Sequence, residues 1–214
     1  MKKICALFIC MLLAVSFIRP AGAQAGEDAS DALLTVNTAL PAEIPAKACV
    51  LMDINTGTVL CAQNEHERLY PASVTKIMSL LLVCEALRDG KLSFDQEVAC
   101  SQTAAEKGGS QIWLEPGETM TVRELLKATV IYSANDACTL LGETVAGSEA
   151  AFVEQMNAKA QALGMEDTHF DNCTGLDDDT QTHLTTAYDI ALMSRALMQF
   201  DFIRDYTTVW MKAN

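Results

Sequence analysis

The sequence predicts an α+β domain: one antiparallel hairpin followed by a mostly helical body. Three observations lead there. Two β-prone runs, Val50-Leu51-Met52 and Thr58-Val59-Leu60, flank an Asn-Thr-Gly turn. A succession of helix start and stop signals fills residues 71–198. No further strand of good quality appears before residue 200, so the sheet looks unfinished, and a lone hairpin must join a larger one. The chain has 214 residues, half of them hydrophobic and 20% charged, which suits one domain with a real core. Its net charge of −13 comes with no basic stripe, which excludes nucleic acid as the main partner.

The elements follow in order. Lys2 and Lys3, the apolar run Ile4–Ile18 and the small-residue pattern Ala21-Gly22-Ala23 predict a secretory signal peptide over residues 1–23. Its removal leaves an exported protein, more acidic still, with no membrane anchor beyond that signal. Residues 24–45 are small, polar and acidic without a period, and predict a flexible leader. The folded domain is expected over 46–214. Pro71 opens a helix to Arg88 or Asp89, capped by Gly90, whose centre Ile77–Val83 is apolar on every side and therefore buried. Thr121-x-x-Glu124 is a capping box for a helix to about Tyr132. A helix from Asn135 to about Val145 follows. Ser148 caps another that ends near Leu163, and Thr186-x-x-Asp189 caps the last, through Met198.

Of eight cysteines, Cys5 and Cys10 fall in the signal segment. Cys49, Cys61, Cys84, Cys100, Cys138 and Cys173 remain, with no C-x-x-C spacing to hold a structural zinc. Cys84 and Cys138 lie in apolar helical runs and read as buried free thiols. The sequence singles out no pairing.

Three constellations bear on chemistry. In Ser73-x-x-Lys76 the two side chains lie on one helical face at a helix N-terminus. A lysine neutralised by burial and positive potential can take the proton from Ser73 as it attacks a carbonyl, and the Ser73 N–H can hold the oxyanion. In Ser133-x-Asn135 a hydroxyl and an amide sit in a tight link between helices, where both can enter one cleft, although Ser and Asn are also favoured helix caps. Thr174-Gly-Leu-Asp-Asp-Asp179 lacks the EF-hand spacing and reads as a solvated turn. His169 and His183 look isolated, and neither H-E-x-x-H nor G-x-S-x-G occurs.

Ser73-x-x-Lys76 with Ser133-x-Asn135 resembles the penicillin-recognising serine enzymes. The surrounding text narrows this. Pro71-Ala-Ser-Val-Thr-Lys-Ile-Met, Ser133-Ala-Asn-Asp-Ala, Gly147-Ser, Phe152-Val, Met156-Asn157, Leu163-Gly-Met and Gly175-Leu-Asp-Asp look like the low-molecular-mass D-alanyl-D-alanine carboxypeptidases. The resemblance implies a β-lactamase/transpeptidase-like fold and removal of the terminal D-alanine from peptidoglycan pentapeptides. It implies Ser73 as nucleophile, Lys76 as base, Ser133 as proton shuttle and Asn135 as holder of the substrate peptide. β-Lactams would be inhibitors, and no metal or cofactor is implied. The family's third motif, Lys-Thr-Gly or Lys-Ser-Gly, is absent; Lys107-Gly-Gly comes too early. The expectation is therefore an N-terminal part of such an enzyme, its sheet incomplete because the chain stops at Asn214, with weak or no activity. A β-lactamase would need a deacylating Glu on a loop, whereas Glu166-Asp167 reads as a helix end. A non-catalytic wall-binding fragment is the alternative from another class.

Overall fold

The computed structural model describes residues 44–176 and 181–208. The expected signal peptide, nearly all of the leader and the acidic run Asp177–Asp179 lie outside the described residues.

Strands β1 (Cys49–Met52) and β2 (Val59–Gln63) pair antiparallel, with Cys49 opposite Gln63 and an irregularity between Leu51 and Met52. The Asp53 carboxylate closes the turn, accepting from the Asn55 N–H at 3.1 Å and from the Thr56 N–H and hydroxyl at 2.7 and 2.8 Å. Those bonds, the Thr56 N–H first, hold its pKa below the ordinary carboxylate value. Among the described residues the hairpin does not join a larger sheet. A helix covers it instead: Arg195 of α6 (Ala187–Leu197) donates to the carbonyls of Ile54 and Asn55, each at 2.9 Å.

A 3-10 turn over Ala72–Thr75 precedes α1 (Lys76–Arg88), so the continuous helix expected from Pro71 is split at Lys76. Met78, Leu81, Val83 and Cys84 of α1 are at most 1% exposed. Burial on every side makes α1 the central rod. It packs against α4 (Asn135–Ala146), α5 (Glu149–Ala162) and α6. Phe152, Met156 and Met193 fill the spaces around it. The expected caps hold. Thr121 opens α3 (Val122–Ile131) with its Glu124 partner, Ser148 accepts from Ala151 N–H, and Thr186 accepts from Asp189 N–H.

Two strands escaped the sequence reading. β3 (Glu97–Ala99) and β4 (Thr119–Thr121) form a separate antiparallel pair. Three residues around one apolar side chain are too few to show a period. Short helices α2 (Gln102–Ala105) and α7 (Arg204–Thr207) were missed for the same reason. No helix among the described residues is long and apolar enough to cross a membrane.

Candidate active site

The site is built where the 3-10 turn meets α1. Ala72 has φ +46°, a conformation uncommon for a residue with a side chain, and it turns the chain so that Ser73 is exposed while Lys76 is 3% exposed. The Lys76 Nζ donates to Ser73 Oγ at 3.1 Å and to the Thr174 carbonyl at 2.9 Å. Burial lowers the lysine's pKa, opposed in part by the nearby Cys138 and Cys173 thiols. An amine held by one carbonyl and weakened in its hold on the proton gives that proton up more readily, and its lone pair is then open to a neighbouring hydroxyl. The Ser73 N–H lies in the first turn, where N–H groups lack intrahelical acceptors.

The acceptor comes from a turn that the sequence reading took for solvated. Thr174 is 1% exposed. The Asn172 side chain shapes the turn, accepting from the N–H groups of Thr174 and Gly175 at 3.1 and 2.7 Å and donating to Leu176 at 2.8 Å. The segment from Ala72 to Ser79 is gripped in three further ways. Ser79 Oγ donates to the Cys173 carbonyl at 2.6 Å. Gly175, at φ +75°, lies so close that a Cβ there would sit 1.7 Å from the Ala72 carbonyl oxygen. His183 is not isolated but 4% exposed. Its Nδ1 accepts from Asp171 N–H at 3.1 Å, which leaves Nε2 to donate to Thr75 Oγ1 at 2.8 Å.

Ser133 has φ +56° in the link between α3 and α4 and is half-buried. The cap of α4 is Ala134, with no side-chain bond, so neither Ser133 nor Asn135 acts as a helix cap. Ser73, Lys76 and Ser133 line one cavity of about 300 Å³, whose far wall includes Met198 and Thr207. Asn135 is not among its lining residues. It opens α4, 4% exposed, with Nδ2 donating to the Gly108 carbonyl at 2.7 Å and its N–H to the Ser110 carbonyl at 2.7 Å. The structure thus brings three of the four expected residues together and sets the fourth beside them, against loop 108–114.

Asp136 is a supporting residue that the sequence reading missed. Fully buried, its carboxylate accepts from the N–H groups of Ile112, Leu114 and Ala137 at 2.8–3.2 Å and so fastens loop 108–114. A buried Asp next to Asn135 in an apolar helix was the available signal. No group of three or more His, Cys, Asp or Glu poised for a metal occurs among the described residues.

The family model described as D-alanyl-D-alanine carboxypeptidase (peptidase S11) matches residues 35–213. The chain is 48% identical over 162 residues to D-alanyl-D-alanine carboxypeptidase DacF of Bacillus subtilis, covering 76% of this chain and 41% of that protein. Among solved structures, the D-alanyl-D-alanine carboxypeptidase DacD of Francisella tularensis superposes with a TM-score of 0.74 at 36% identity, over 78% of this chain and 40% of that one. Penicillin-binding protein D2 of Listeria monocytogenes, in its cefotaxime-bound form, superposes with a TM-score of 0.66 at 30% identity, over 76% and 66%. The fold is therefore the β-lactamase/transpeptidase-like one. The chain spans about two fifths of the length of the curated relatives it matches.

Proposed function

Because the chain belongs to the D-alanyl-D-alanine carboxypeptidase family, we propose that it carries the acylation machinery of a serine-type D-Ala-D-Ala carboxypeptidase acting on peptidoglycan pentapeptides outside the cytoplasmic membrane. One observation carries the reading: a buried lysine amine 3.1 Å from a serine hydroxyl, fixed from behind by the Thr174 carbonyl.

The Ser73 Oγ attacks the carbonyl between the two terminal D-alanines, and Lys76 takes its proton. The Ser73 N–H steadies the oxyanion. Ser133, on the same cavity wall, hands a proton to the leaving D-alanine amine, and Asn135 holds the substrate peptide from the edge. Water then hydrolyses the acyl-enzyme. A β-lactam follows the first half of this path and stays on Ser73, as the antibiotic-bound Listeria relative leads one to expect.

Labelling with a fluorescent penicillin tests the reading. The protein acquires label at Ser73, and D-alanine is released from a pentapeptide; a protein labelled equally well as Ser73→Ala would refute it. The sequence holds no Lys-Thr-Gly or Lys-Ser-Gly to grip the substrate carboxylate. Labelling of these 214 residues is accordingly expected to be slower than that of a full-length relative. A Ser73→Ala strain with unchanged cell-wall phenotype would instead favour a second reading, a non-catalytic wall-binding role.

A further inference from the structure

The proposed reaction uses two groups that different parts of the chain hold in place. Lys76 leans on the Thr174 carbonyl, and Asn135 on the Gly108 carbonyl. Glu149, the first residue of α5, stands between those two segments. Its Oε2 accepts from Lys107 Nζ at 2.5 Å, one residue before Gly108. Its Oε1 lies 3.3 Å from the Cys173 sulfur and 3.5 Å from the Cys173 nitrogen, one residue before Thr174. The ion pair is largely withdrawn from water, with the Lys107 and Glu149 side chains 19% and 16% exposed, where salt screens it little. Neither residue lines the cavity of Ser73, Lys76 and Ser133.

The two segments also meet directly. A Cβ at Gly109, which has φ +76°, would sit 2.8 Å from Asn135 Nδ2 and 3.2 Å from Leu176 Cδ1. The loop therefore passes between Asn135 and the end of the lysine-holding turn with no room for a side chain.

We propose that Glu149 is a positioning residue for the acyl transfer, its carboxylate bridging Lys107 to Cys173 so that the peptide-holding loop and the lysine-holding turn keep one register. Each end of the bridge is one residue from a carbonyl that aims a reacting side chain. Planar peptide units carry a shift of Lys107 to the Gly108 carbonyl, and a shift of Cys173 to the Thr174 carbonyl. Without the bridge each segment keeps bonds of its own, from Asp136 to the loop and from Asn172 to the turn. What goes is the alignment of one against the other. A carboxylate suits the task because both its oxygens accept. A glutamine would turn an NH2 toward one of two donors.

Hydrogen–deuterium exchange, read by mass on peptides spanning 108–114 and 172–176, tests the bridge without reference to activity. Lys107→Met is expected to speed exchange by about two- to thirtyfold in its own loop and, across the bridge, in the turn. Glu149→Gln does the same in both, and the double variant goes no further than the faster single one. Lys107→Arg, which keeps a cation in reach, returns both segments to the parent rates. Lys107→Met alone reports the coupling should Glu149→Gln fail to fold.

The effect on labelling rests on the proposed function. Followed against penicillin concentration, the affinity before acylation and the acylation rate constant both fall in Lys107→Met, their product by roughly tenfold or more. Lys107→Arg recovers both. A turn that exchanges at the parent rate in Lys107→Met overturns the proposal, and so does a Lys107→Met protein that labels with both constants unchanged. A parent protein that never takes label, yet shows the coupled exchange, counts against the function and for the bridge.

Discussion

Helix α1 has a cavity at each end, and the two differ in an instructive way. The C-terminal cavity is the larger, about 590 Å³, walled by Leu81, Phe94, Phe200 and Phe202 with Glu85 and Arg88 at its rim. The cations at that end of the helix are partnered. Lys159 meets Glu85 at 2.8 Å, and Arg88 meets Asp89 at 2.9 Å while lying over the Phe200 ring. Bonding to Asp89 raises the Arg88 pKa. The N-terminal cavity has half the volume and one buried cation, Lys76, which has no carboxylate partner among the described residues and whose pKa is pushed down. The chemistry we propose belongs to the smaller cavity, beside a charge without its counter-charge, where burial makes the proton easier to give up.

Substitutions at the two ends separate these properties, beginning with the largest effect. Ser73→Ala abolishes penicillin labelling, a loss of roughly four or more orders of magnitude, without lowering the melting temperature. Lys76→Met does nearly as much to labelling. It also holds or raises the melting temperature at pH 7, since an isolated buried charge has been removed. Normal labelling in Lys76→Met would break the comparison outright.

The two glycines flanking α1 come next. Gly175 and Gly90 share nearly the same φ, +75° and +71°, but a Cβ at Gly90 meets nothing within 4 Å. Gly90→Ala therefore carries only the left-handed strain, about 1 kcal/mol by denaturant melt. Gly175→Ala adds a backbone clash with Ala72, and is expected to cost upward of about 3 kcal/mol and to slow labelling.

The pH profile sharpens the contrast further. The Lys76 pKa in the folded protein lies below its ordinary 10.5, so the unfolded chain binds the extra proton between the two values. Stability from this group is fully present above 10.5 and is lost as pH falls through the lowered value. The melting-temperature gap between Lys76→Met and the parent protein should accordingly shrink as pH rises toward 10.5. Over the same range labelling should accelerate, with a midpoint below 10.5. A flat profile would remove Lys76 as the base. The smallest effect belongs to the paired end: Lys159→Met changes stability by less than about 1 kcal/mol and labelling not at all.

How much of this was legible in the sequence depended on distance along the chain. Thr121, Ser148 and Thr186 announced their helices because a cap and the N–H it satisfies are three residues apart. Ser73 and Lys76 announced themselves for the same reason, one helical turn apart. The turn at 172–175 did not. The acids that follow it, Asp177–Asp179, suggest solvent, and nothing local shows that Thr174 lies under a lysine 98 residues earlier. His183 looked alone because its partner Thr75 is 108 residues away. Asn135 was legible as a polar residue beside Ser133, but its bond to Gly108 was not. The Ser73–Lys76 pair is legible in the sequence; the parts that hold it come from long-range contacts, which no local pattern encodes.

Arg195 has a bearing on how the protein is made. It clasps the hairpin tip from a position 141 residues further along the chain. Among the described residues the hairpin has no third strand to lean on, and two strands alone are marginal in water. During synthesis the hairpin tip gains this clasp only once α6 has been delivered and docked. Contacts of such sequence separation form late and slowly. That interval is when a nascent chain of this kind is most exposed to proteases and most in need of a holding chaperone.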